Sequence, residues 1–234
     1  MHVAACNCAQ PLRQVGENTL GLINTSPHMD YIAILLLLAA VAYFLLRGRK
    51  AGMQPVPIDI LPDTFIVFDL ETTGLKAEAN EIIEVAAIRF KKGTNTHDTF
   101  QSLVKPKKAV PKKITEITGI TQAMVDDEGR PIVEVLEEFR DFVGELRLVT
   151  FNAEFDMAFI QAAATRAGKR PFDNPVSCAL KMARRAWPRR KSFRLDDLAK
   201  DGNINKGKAH RALEDARRAL IVYAAAAAQL KSIA

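Results

Sequence analysis

The chain has 234 residues, of which 48% are hydrophobic and 26% charged, a balance that excludes fibrous and wholly disordered classes. Lys and Arg outnumber Asp and Glu by 33 to 27, a mild basicity that admits a polyanionic partner without requiring one. Three cysteines are too few for a disulfide framework, which places the globular part in a reducing compartment.

Residues 1–30 show no hydrophobic periodicity and read as a disordered tail. Its Cys6 and Cys8 lack the further ligands a metal site needs, and Met29 is an alternative start to Met1. Residues 31–46, YIAILLLLAAVAYFLL, carry no charge and are followed at once by Arg47, Arg49 and Lys50. At about 1.5 Å per residue the run spans roughly 24 Å against a hydrocarbon core of about 30 Å, a gap that local thinning and snorkelling of Arg47 close. A signal peptide would carry its basic residues before the apolar run, not after it. The expectation is one transmembrane helix over residues 31–47 with the basic side inward. A linker at 48–60 then leads to a globular domain at 61–234, on the cytoplasmic face of the inner membrane.

Within that domain, residues 64–70 (TFIVFDL) form a continuous apolar run that suits a central strand buried on both faces. Residues 81–90 and 96–104 read as two more strands, joined by a hairpin turn containing Gly93 and Asn95. Pro131 opens a helix with Ile132, Leu136, Phe139 and Val143 on its buried stripe. A short strand at 147–151 follows, then a helix at 154–167 ended by Gly168. A last helix at about 209–231 is expected to turn Leu213, Ala216, Leu220 and Ala224 inward. Strands first, then strands alternating with helices, predict an α/β mixed sheet covered on both faces.

Asp69 and Glu71 stand two apart at the end of the first strand, so strand alternation turns both carboxylates to one face. Charge confined to the carboxyl end of an apolar strand, followed by the turn Thr72-Thr73-Gly74, is where open α/β sheets place their sites. The same Asp-x-Glu spacing at Asp126 and Glu128 lies in a stretch that reads as a solvated turn. Asp156 lies early in its helix, four and three residues before Ile160 and Phe159, where it serves either the helix dipole or a site. His210 and Asp215 are five residues apart, about 140° on a helix, so they meet at one point only if His210 sits in the loop ahead of that helix.

Taken together, FDLETTG at 68–74, NAEFD at 152–156 and AHRALEDA at 209–216 resemble, in order and spacing, the DEDD (DnaQ-like) 3′-to-5′ exonuclease superfamily in its histidine-containing branch. ITGIT at 117–121 is similar to the segment after the third strand in the branch containing the DNA polymerase III epsilon proofreading subunit and RNase T. The resemblance covers residues 63–230; Phe151 departs from it, since many relatives carry His there.

This resemblance implies a ribonuclease H-like fold, with three antiparallel strands then two parallel ones, flanked by helices. It implies Asp69, Glu71, Asp156 and Asp215 around two divalent cations, Mg²⁺ or Mn²⁺, with His210 as general base. Thr72, Gly74 and Leu75, with the ring of Phe159, would hold the terminal nucleotide. The implied reaction is removal of nucleoside 5′-monophosphates from single-stranded DNA or RNA, with DNA the expected substrate and a DNA polymerase a candidate partner. Two alternatives stay open: a catalytically silent module tethering nucleic acid or a polymerase to the membrane, and an endonuclease or integrase on the same fold. Arg184, Arg185, Arg189, Arg190, Lys191 and Arg194, interleaved with Trp187 and Phe193, read equally as a phosphate-tracking surface or a solvated loop.

Overall fold

A computed structural model describes residues 61–202 and 210–232. The expected tail, transmembrane helix and linker, residues 1–60, lie outside the described residues. Among the described residues no helix is long and apolar enough to cross a membrane.

Five strands form one sheet: β1 (Thr64–Thr72), β2 (Ile82–Lys91), β3 (Asp98–Leu103), β4 (Leu148–Thr150) and β5 (Val176–Cys178). Their order is β3-β2-β1-β4-β5. The first three pair antiparallel, while β4 runs parallel to β1 and β5 parallel to β4. This is the mixed sheet expected from the sequence, and β1 lies at its centre because it is apolar on both faces. The hairpin between β2 and β3 turns through Gly93, whose φ of 78° suits a residue without a Cβ.

Around the sheet lie α1 (Lys112–Thr118), α2 (Gln122–Asp127), α3 (Ile132–Val143), α4 (Ala153–Arg166), α5 (Ala179–Ala186), α6 (Leu195–Asp201) and α7 (Ala212–Ser232). Side-chain alternation along β1 feeds two cores. Ile66, Phe68 and Leu70 pack with Leu136 and Phe139 of α3 and with Phe159 and Ile160 of α4. Phe65 and Val67 pack on the opposite face with Ala179 and Ala183 of α5 and with Ala216, Ala219 and Val222 of α7.

At three points the structure refines the sequence reading, each for a physical reason. The stretch holding Asp126 and Glu128 is no simple turn: Asp126 belongs to α2, which starts where the Thr121 hydroxyl accepts the Met124 N–H at 3.2 Å and which anchors itself through buried Val125. Helix α7 begins at Ala212, so His210 lies ahead of it, as the angular argument required. Of its expected inward residues Ala216 is fully buried and Leu213, Leu220 and Ala224 pack partly buried against the same core, while Ala212, Asp215, Ala219, Val222 and Ala226 widen the buried face. Small alanines allow close approach to the sheet, and polar Asp215 and Arg218 take inner positions that a hydrophobicity pattern cannot assign.

Candidate active site

The parity that sends Phe65 and Val67 toward α7 sends Asp69 and Glu71 the same way, one and two steps further along β1. There they meet Asp215, in the first turn of α7. One carboxylate oxygen from each of Asp69, Glu71 and Asp215 lies within 4.8 Å of the others. Asp156 arrives from the first turn of α4, just after β4, and is buried at 3% exposure. Its Oδ2 accepts the Thr150 hydroxyl at 2.6 Å. Asp156 stands outside the 4.8 Å group, yet it faces Asp69 closely enough to be the strongest of the carboxylates acting on it.

Burial and mutual repulsion make these acids reluctant to ionise. Desolvation, then the charges of Asp156, Glu71 and Asp215, push the Asp69 carboxyl well above its ordinary range. Glu71 is pushed up to about 8 by burial and by Asp215 and Glu84, with Arg211 opposing. Asp156 is pushed up to about 7 by burial, against the Thr150 hydrogen bond. Asp215 is also raised by burial, although the Arg218 guanidinium lies 2.6 Å from its Oδ1. Such a cluster favours positive charge at its centre.

His210 stands beside this group in the left-handed region, with φ of 61°. Its backbone N–H donates to Asp215 Oδ2 at 3.2 Å, tying the loop residue to the helix residue. The five residues expected to act together therefore converge from β1, α4 and the start of α7.

The expected nucleotide-holding residues divide. Thr72 is buried at the end of β1 and its hydroxyl donates to the Gly74 carbonyl at 2.7 Å. A Cβ on Gly74 would fall 2.4 Å from Asn80 Oδ1, so this turn is packed for a glycine. Leu75 is 86% exposed, an apolar side chain presented to solvent just after the turn that follows β1. Phe159 is 1% exposed and its ring packs 4.8 Å from that of Phe155, on the stripe by which α4 meets the sheet.

In the basic stretch, Arg184, Arg185, Arg189, Lys191 and Arg194 are exposed. Arg190 is not a free cation: its guanidinium pairs with Asp201 and donates to the Ser192 and Asp197 carbonyls. Trp187 and Phe193 pack partly buried against the α7 core.

One residue escaped the sequence reading. Glu84, the third residue of β2, is fully buried and lies opposite Glu71 in the β1–β2 register. A signal was present, since a single carboxylate interrupts the apolar run IIEVAAI.

Comparison with known proteins bears on the whole arrangement. The RNase T family, described as Exonuclease, matches residues 66–223. The DNA polymerase III subunit epsilon of Aquifex aeolicus is 39% identical over 159 residues, which cover 68% of this chain and 77% of that protein. The PolC-type DNA polymerase III of Clostridium perfringens is 42% identical over 156 residues, 66% of this chain but only 10% of that much longer polymerase. Among solved structures, E. coli exonuclease I in complex with a dT13 oligonucleotide shares the fold with a TM-score of 0.65 at 22% identity, covering 74% of this chain and 42% of that one. Exonuclease I from Methylocaldum szegediense gives 0.61 at 21% identity, covering 70% and 40%. The chain belongs to the exonuclease family of the RNase T and DnaQ type, within the DEDD superfamily.

Proposed function

We propose that this chain is a metal-dependent 3′-to-5′ exonuclease releasing nucleoside 5′-monophosphates from single-stranded DNA. The observation that carries the reading is the convergence of Asp69, Glu71 and Asp215 within 4.8 Å, beside Asp156 and His210. The donor set fits Mg²⁺ or Mn²⁺: the grouped atoms are all carboxylate oxygens, hard ligands with no thiolate among them. Asp69, Glu71 and Asp215 would hold the cations, with Asp156 completing the set. When bound, two divalent ions supply Lewis acidity to both sides of an in-line displacement at phosphorus.

The remaining work falls to this chain's own side chains. His210 takes the proton from the attacking water, a role for which an imidazole is suited. Exposed Leu75, next to the turn after β1, provides an apolar surface for the terminal base. Arg184, Arg185, Arg189, Lys191 and Arg194 supply exposed positive charge for the strand's phosphates. The polymerase names of the relatives support a DNA polymerase as partner, testable by co-elution with a polymerase catalytic subunit. Residues 31–47 are proposed to tether the enzyme to the inner membrane, and recovery of the full chain in the supernatant after high-speed centrifugation would refute this.

The activity is tested by incubating the full chain with a 5′-labelled oligonucleotide and Mn²⁺. A ladder of shortening products that disappears with Asp69→Asn and His210→Ala is expected. Binding without laddering would identify a silent tethering module, and cleavage of a circular single strand would identify an endonuclease.

A further inference from the structure

A carboxylate without a partner is not tolerated in a protein interior, so the partners of a fully buried glutamate report what it is there to hold. Glu84 is flanked in β2 by buried Ile83 and Val85. Its parity is that of Ile88 and Phe90, which pack against α7, and so it points to the face that carries Glu71 and Asp69. Oε1 accepts from Gln101 Nε2 at 2.9 Å and from Arg211 Nη2 at 2.7 Å. Arg211 Nε lies 3.2 Å from both oxygens, and Oε2 accepts the Ala212 backbone N–H at 3.0 Å. Burial alone would raise this carboxyl, but the bonds from Arg211, Ala212 and Gln101 hold it below its ordinary value.

Four of those contacts go to residues 127 and 128 positions away, on the segment joining His210 to α7. His210 itself adopts φ of 61°, a conformation that side chains with a Cβ rarely take and that persists only where the surroundings fix it. Two bonds bracket it: Asp215 Oδ2 accepts its own N–H, and Glu84 Oε2 accepts the N–H two residues on. A purely structural role explains this poorly, because a buried ion pair is commonly no more stabilising than apolar residues of the same volume. It also adds negative charge beside Asp69 and Glu71, which Arg211 then offsets.

We infer that Glu84 is a positioning residue: through Arg211 and the Ala212 N–H it clamps the segment carrying His210 onto β2, beside the acidic cluster. The role in catalysis rests on the exonuclease reading; the clamp itself does not.

The experiment uses the full chain with Glu84→Gln, Arg211→Ala and Arg211→Lys. Glu84→Gln keeps the volume and removes the charge; Arg211→Ala changes a side chain that is 30% exposed and is the safer variant if the first folds poorly. Initial rates on a single-stranded DNA oligonucleotide with Mn²⁺ give kcat and KM. Spectra of histidine-labelled protein, with the His210 ring signal assigned by His210→Gln, report the position of that ring without any reaction. For Glu84→Gln and Arg211→Ala, kcat is expected to fall about tenfold or more with KM within about twofold, and the His210 signal to move. Arg211→Lys, which retains a cation for Glu84, is expected to restore part of kcat. An unmoved His210 signal, kcat within about twofold of wild type, or a loss confined to KM would overturn the inference. If wild type itself degrades no oligonucleotide, the exonuclease reading fails, and the His210 signal alone decides whether the clamp exists.

Discussion

Replacing Glu71 by Gln is expected to make the metal-free protein more stable, with a gain that grows as pH rises. Burial and the charges of Asp215 and Glu84 push the Glu71 carboxyl up to about 8, against 4.5 for the ordinary group. In the unfolded chain it ionises near its ordinary value, so between these limits the folded state binds more protons than the unfolded one. Stability therefore falls as pH rises through that window. The difference of roughly 3.5 units at about 1.36 kcal/mol each sets a ceiling near 5 kcal/mol. Residual solvent contact and sharing of protons with the other acids reduce the expected cost to about 2–4 kcal/mol at pH 8. Gln carries no charge, so that cost vanishes, and for a chain of this size the metal-free variant should melt roughly 5–15 °C higher at pH 8 while matching wild type near pH 4.5. Glu84, whose carboxyl is lowered, contributes stability that is lost only as pH falls below the ordinary carboxylate range, outside this window. Thermal unfolding in EDTA at several pH values measures the effect. Excess Mn²⁺ should then stabilise wild type by mass action and the variant much less, narrowing or reversing the order. A metal-free wild type that melts higher at pH 8 than at pH 5, or a variant that melts lower than wild type at pH 8, would refute the reasoning.

Thr150→Val removes the hydroxyl held by Asp156 and should cost about 1.5–3 kcal/mol in urea unfolding, while raising Asp156 further and moving the activity profile to higher pH. Arg190→Ala should cost about 1–2 kcal/mol because it breaks contacts to Asp201, Ser192 and Asp197. Arg189→Ala should leave stability within about 0.5 kcal/mol and instead weaken single-stranded DNA binding with a shallower salt dependence, measured by fluorescence anisotropy. Gly129→Ala would place a Cβ 2.2 Å from the Val125 carbonyl oxygen and 2.9 Å from the Lys105 nitrogen, both backbone, and should cost about 2–3 kcal/mol by chemical denaturation.

The sheet was legible because β1 alternates between two cores and then changes to acid at its end, a pattern written in consecutive residues. The position of His210 was legible for a similar reason: a helical angle is a function of sequence spacing alone. Phe159 shows the limit. Its spacing from Asp156 is the same whether the ring faces the substrate or the sheet, and only the docking of α4 on Phe68 and Leu70 decides. Along α7 the apolar residues were legible but the full width of the buried face was not, since polarity marks Asp215 and Arg218 as outward when each makes the other tolerable inside. Short α1, α2 and β5 were missed because their few buried residues set up no period: α1 buries only Thr118, and α2 only Val125. Glu84 was visible as an interruption, but its meaning lies with Arg211 and Ala212, far along the chain.

Contacts within the fold also fix how these four reluctant carboxylates are oriented. Asp156 is fixed by Thr150, and Asp215 by Arg218 on one oxygen and the His210 N–H on the other. Asp69 and Glu71 are fixed by the central strand itself, in unbroken register with Ala86 and Glu84. An ionised carboxylate has about four lone-pair sites, so two hydrogen bonds on Asp215 leave room for a cation rather than competing with it. On the proposed function, binding a divalent ion would require loss of protons from Asp69, Glu71 and Asp215, whose carboxylate oxygens already lie within 4.8 Å of one another. The mutual repulsion of the acids and their fixed orientation thus share one origin: placing them on β1, α4 and the start of α7, which pack about the two cores.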